Sequence, residues 1–142
     1  MGRSRGGLTT KIHARVDAKG RPVRLLISPG EVHDAACAEA LLDGLQNGAV
    51  VIADKGYDAD SIRAHIREQG AIPNIPNRSN RKTKYRWTKA IYRERNHVER
   101  FFNRLKQFRR IATRYDKLGA NFFASVKLAS MRIWLRSIES TA

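Results

Sequence analysis

The stretch from Ile91 to Lys106 constrains this chain most. Val98, Phe101, Phe102 and Leu105 recur at helical spacing, and Ile91 and Phe108 extend the same stripe. One helix is predicted across the whole stretch. At roughly 100° per residue, Tyr92, Arg95, Glu99, Asn103 and Lys106 form a second, polar stripe beside the apolar one. Glu99 is the only carboxylate on that polar stripe. A carboxylate at the edge of a buried face, among phosphate-binding cations, suits a divalent metal held against a phosphodiester. The same pattern also fits an amphipathic surface helix with one acid among many bases.

Charge sharpens the choice. From Asn77 to Arg136 there are 18 Lys or Arg against three acids, Glu94, Glu99 and Asp116, so this segment alone carries the net charge of +15. The remainder is neutral. Such one-sided charge points to a polyanion, most simply nucleic acid. The chain's 142 residues predict a single domain, 1–142, with its basic face in 77–136. A lone cysteine, Cys37, excludes an internal disulfide and, in its Ala-rich setting, is expected to be buried. No apolar run reaches membrane-spanning length, and the first seven residues lack a signal peptide's apolar stretch. A cytoplasmic protein is expected, nucleoid-associated when bound to DNA, with no membrane partner.

From Leu8 to Asp17 apolar and polar residues alternate, Asp17-Ala18-Lys19-Gly20 turns the chain, and Val23, Leu25 and Ile27 continue as a second strand. This hairpin puts His13 on the polar, solvated face. Asp34 reads as the N-cap of a helix through Leu42, and that role is preferred over a metal-binding His33-Asp34 pair. Ala49 to Ala53 is a short continuous apolar run, suited to a strand buried on both faces, and Asp54 ends it. Sites form at the carboxyl ends of such strands. Asp54 is either a site residue or a helix cap. Asp58 and Asp60 lie nearer the next helix and compete for capping. That helix runs from about Asp60 to Gln69, and Ala71–Ile75 is a short strand whose Pro73 suits an edge. The loop Pro76–Trp87 interleaves Arg78, Arg81, Lys82, Lys84 and Arg86 with Tyr85 and Trp87, a surface for phosphates and stacked bases. A solvated flexible loop is the alternative. A last helix begins near Asn121, with Trp134 in its apolar stripe.

The order is strand, strand, helix, strand ending in Asp54, helix, strand, helix carrying Glu99. It resembles an α/β ribonuclease-H-like mixed sheet with flanking helices, lacking its first strand. Ala53-Asp54-Lys55-Gly56-Tyr57-Asp58 resembles the second-aspartate block of bacterial insertion-sequence transposases. Tyr92, Arg95, Glu99 and Lys106 match their Tyr, Arg, Glu, Lys signature. The opening Gly2–His13 and the run Val98–Lys106 look like the branch named after IS five.

The resemblance implies a DDE transposase catalytic core, here its C-terminal part. Such enzymes cut double-stranded DNA at transposon ends and join it to a target, working as oligomers. Three carboxylates hold two Mg²⁺ ions, one activating water or the 3′-hydroxyl and the other stabilising the leaving oxygen. Asp54 and Glu99 would be the second and third acids and metal ligands, converging on one cleft. Tyr92, Arg95 and Lys106 would engage DNA, with Arg78, Arg81 and Lys82 binding phosphate from the loop. The family's first Asp lies just upstream of the Gly-Arg-Ser block, and no acid precedes Asp17. The chain is therefore expected to be inactive and poorly folded alone, and to need an upstream transposase segment. A non-enzymatic nucleic-acid-binding protein and a nuclease of the same fold are the alternatives.

Overall fold

The structure, a computed structural model, describes residues 2–4, 7–29, 34–107 and 119–141. It is a mixed α/β arrangement of small sheets and helices. The chain groups into two compact units, Met1–Val32 with His97–Ala142, and His33–Asn96.

The first unit contains a three-stranded antiparallel sheet in the order β1 (Gly2–Ser4), β2 (Gly7–Val16), β3 (Pro22–Pro29). Alternation of apolar and polar residues makes β2 and β3 strands, and the turn between them fixes their register. Asp17 Oδ1 accepts the N–H groups of Lys19 and Arg21 at 2.9 Å each, and Oδ2 accepts Arg21 Nε at 2.8 Å. Gly20 closes the turn at φ +79°, a left-handed conformation that costs a residue with Cβ. The sheet packs Ile12, Ala14, Val16 and Leu25 against a core of Phe101, Leu105, Val126, Ala129 and Ile133. Those core residues come from α4 (Asn96–Lys106) and α5 (Gly119–Thr141), at the helical spacing the sequence showed. Trp134 is half-buried rather than fully in the core. Its Nε1 donates to Pro22 O at 2.6 Å and Arg21 lies over its ring at 4.5 Å, so the indole ties α5 to the hairpin turn.

One expectation fails here. His13 is buried, not solvated, and its Nε2 lies 2.7 Å from Ser28 Oγ. Ser28 stands two residues beyond Leu26, the cross-strand partner of His13, so both side chains share a face. The paired hydroxyl gives Nε2 a partner and so lowers the cost of burying the ring.

The second unit begins with a 3₁₀ turn (Asp34–Cys37) and one turn of helix, α1 (Ala38–Leu41). Then come β4 (Val50–Ile52), a 3₁₀ turn (Lys55–Tyr57), α2 (Asp60–Glu68) and β5 (Ile72–Asn74). β4 and β5 pair in parallel, with α2 as the crossover. Ile62 and Ile66 of α2 join Ala38, Leu42, Ala71 and Ile75 in a separate core. Gln69 fastens the ends of α1 and α2, donating from Nε2 to Leu42 O and accepting Leu45 N–H. The expected strand buried on both faces is shorter and more open. Val50 and its partner Ile72 are both exposed, because β4 pairs with β5 alone among the described residues.

The predicted single helix from Ile91 is three successive segments: α3 (Lys89–Tyr92), a 3₁₀ turn (Arg93–Arg95), and α4. The apolar spacing is sparse between Ile91 and Val98, where only polar residues and Tyr92 intervene. Nothing buries a continuous face there, so the tighter turn is admitted. His33, Phe108 and the basic run 109–111 lie outside the described residues.

Candidate nucleic-acid and catalytic site

Asp54 stands two residues beyond the last residue of β4. Its Oδ1 accepts Gly56 N–H at 2.9 Å, capping the 3₁₀ turn, and its Oδ2 accepts Arg95 Nη2 at 3.2 Å. Asp54 is thus both a cap and an ion-pair partner. The side chain is 36 % exposed, so solvent screens the pair. Arg95 comes from the 3₁₀ turn just ahead of α4. Asp54 and Arg95, both among the residues that the resemblance implicates, are in contact.

Asp58 does not cap α2. It is buried, and its carboxylate gathers three donors from distant positions. Arg63 Nε reaches Oδ1 at 3.0 Å, while Arg78 N–H and Arg81 Nε reach Oδ2 at 2.6 and 2.9 Å. Burial pushes its pKa up, but the hydrogen bonds from Arg78 N–H, Arg81 and Arg63 outweigh that and hold the carboxyl below its usual range. Arg63 is itself buried, and its Nη2 also donates to Ile75 O at 2.8 Å.

Around this carboxylate the basic loop is ordered. Asn77 brackets Tyr85, donating to its carbonyl at 2.7 Å and accepting its N–H at 2.8 Å. Asn74 does the same for Thr88, at 3.1 and 2.7 Å. The Tyr85 ring lies against the guanidiniums of Arg63, Arg81 and Arg67, at 4.3, 4.9 and 5.1 Å. Its hydroxyl donates to Asp60 at 3.0 Å. Tyr85 is therefore a packing hub for arginines rather than an open stacking surface.

The loop cations divide into two kinds. Arg81 bonds Asp58 and Asp60, and Arg78 donates to the carbonyls of Lys55 and Gly56 at 3.0 Å each. Both expected phosphate contacts thus have internal acceptors. Lys82 and Arg86 are exposed. Tyr92 is half-buried and packs edge-on against Trp87 at 5.6 Å. In the other unit, Glu99 and Lys106 are exposed on α4. Sequence reading missed Asp58 and Arg63 as site-shaping residues. No local signal marked them, because the partners of Asp58 lie 5, 20 and 23 residues away along the chain.

Among the described residues no group of three or more His, Cys, Asp or Glu side chains is placed to hold a metal ion. One half-exposed carboxylate opposed by a guanidinium does not by itself fit a two-ion centre, which needs several anionic oxygens.

The family described as Transposase DDE domain matches residues 2–134. The chain belongs to the DDE transposases. This DDE transposase chain is 44 % identical over 133 residues to a putative transposase for insertion sequence element IS6501 of Brucella ovis, covering 91 % of the chain and 100 % of that relative. It is 30 % identical over 134 residues to a putative transposase for IS402 of Burkholderia cepacia, covering 84 % of the chain and 59 % of the relative. Over 58 residues it is 43 % identical to the transposase for IS1106 of Neisseria meningitidis, 41 % of the chain and 20 % of that protein. The transposase chain therefore spans the whole of one curated relative and smaller parts of two others. No solved structure matches it. No helix among the described residues is long and apolar enough to cross a membrane.

Proposed function

We propose that this chain is a DNA-handling transposase core of ribonuclease-H-like fold, in the IS-five branch. The observation that carries this reading is the family match across residues 2–134, with Asp54 just past β4 and Glu99 on α4 at its signature spacing. The substrate is double-stranded DNA, at transposon ends and target, and the active form is an oligomer. Asp54 and Glu99 are its two acids. Lys82, Tyr92, Arg95 and Lys106 are the contacts to DNA, with Arg78 and Arg81 shaping the loop that carries Lys82.

Divalent metal use belongs to the family in general, and Mg²⁺ is the ion proposed here. Two carboxylates hold two adjacent ions poorly, and a guanidinium already opposes one of them. A third acid beyond Asp54 and Glu99 completes the set in this proposal. The one unpaired edge of β4 among the described residues, with the exposed Val50 and Ile72, suits pairing with an added acid-bearing strand.

A second reading has its own support. The Asp54–Arg95 pair and the absence of a three-acid group among the described residues suit a protein that binds DNA without cutting it. Joining of labelled transposon-end DNA to a plasmid separates the two. The test compares this chain with one carrying an added acid-bearing strand, in Mg²⁺ and in EDTA. Joining by the extended chain in Mg²⁺ alone supports the transposase. DNA binding without joining in either chain supports the second reading.

A further inference from the structure

We propose that Asp58 and Arg78 are positioning residues for Asp54, and that Arg78 works on the turn beside that acid rather than on a DNA phosphate. The function of the pair rests on the reading of Asp54 as a reacting-site acid; the geometry does not.

The argument starts from one peptide group. Lys55 C=O and Gly56 N–H belong to the same planar unit and point in opposite directions. Asp54 Oδ1 accepts that N–H at 2.9 Å, and Arg78 Nε donates to that C=O at 3.0 Å. The peptide is therefore gripped from both sides. Arg78 Nη2 adds a second bond at 3.0 Å to the next carbonyl, of Gly56. A guanidinium presents parallel donors in a rigid fork, so the two carbonyls are held in a fixed relation to each other. A rotation of the turn that released Asp54 from Gly56 N–H has to break the fork as well.

Arg78 is in turn fixed by Asp58. Its backbone N–H donates to Asp58 Oδ2 at 2.6 Å. That oxygen also takes Arg81 Nε at 2.9 Å, while Oδ1 takes Arg63, anchored to Ile75 O. A buried carboxylate thus pins the start of the basic loop, and the first arginine of the loop pins the Asp54 turn. The outcome is a carboxylate whose direction is set before any ligand arrives, the preorganisation that site chemistry requires.

Arg78 as a phosphate contact needs only its charge, which Lys supplies. Arg78 as a fork on two carbonyls needs its shape, which Lys lacks. The test uses the full chain with Arg78→Lys, Arg78→Ala and Lys82→Ala. Two measurements are made: amide hydrogen exchange at Gly56, and the salt dependence of duplex binding. Losing the fork is expected to speed Gly56 exchange by at least about fivefold in both Arg78 variants, while α2 amides keep their rates. Lys82→Ala leaves Gly56 unchanged and lowers the salt slope by about one, whereas Arg78→Lys leaves the slope unchanged. Wild-type Gly56 exchange in Arg78→Lys overturns the proposal. So does an Arg78→Ala variant that lowers the slope as Lys82→Ala does without changing Gly56 exchange. Expected exchange with no DNA joining by the extended wild-type chain keeps the positioning role and removes the transposase reading.

Discussion

At the residue scale, Asp58 has the largest structural consequence. It is buried with Arg63, and removing it leaves a guanidinium in the interior without its carboxylate. Asp58→Ala is expected to cost about 3–5 kcal/mol in chemical denaturation, the usual penalty for an orphaned buried charge. Its folded pKa lies below the unfolded value, so its contribution is full above about pH 4 and fades as pH falls through the lowered folded value. Acid titration of stability is therefore expected to show a decline below about pH 4 that is shallower in Asp58→Asn. A profile unchanged by the substitution contradicts the assignment. The position of Asp54 just past a strand is legible in the sequence, because a strand end is a local pattern. The role of Asp58 is not, because its partners Arg63, Arg78 and Arg81 come together only through tertiary folding. His13 was misread for a related reason: alternation tells the two faces of a strand apart, not whether a polar face is covered.

At the element scale, periodicity carried the hairpin, α2 and α5 well, since each buries one face against a core. It failed where no face is buried. The stretch Arg93–Arg95 is tighter than an α-helix, and the basic loop is held by side-chain bonds from Asn74, Asn77 and Asp58 that no local rule reveals. Phe101 shows how much α4 depends on packing, being fully buried among Leu105, Val126, Ala129 and Ile133. Phe101→Ala is expected to destabilise by about 3–5 kcal/mol through cavity formation. Leu128, 67 % exposed on α5, is the comparison: Leu128→Ala is expected to fall within about 0.5 kcal/mol of wild type. Equal losses in denaturant titrations mean that α4 and α5 do not pack as described. For the loop, Lys82→Ala and Arg86→Ala are each expected to reduce the salt slope of duplex binding by about one. Unchanged slopes place the DNA contact elsewhere.

At the scale of the whole molecule, charge and family lead the same way. A neutral front and a segment of net +15 suit a chain that lies along DNA, and the DDE transposase match spans both parts. The central claim is that Asp54 and Glu99 supply chemistry while the basic residues supply binding. The most direct measurement is the rate of Mg²⁺-dependent strand joining by the chain extended with an acid-bearing strand, set against its Asp54→Asn and Glu99→Gln variants at matched DNA occupancy. The account predicts that the extended wild-type chain joins DNA and that each variant falls to background while still binding. A variant that joins at the wild-type rate contradicts it.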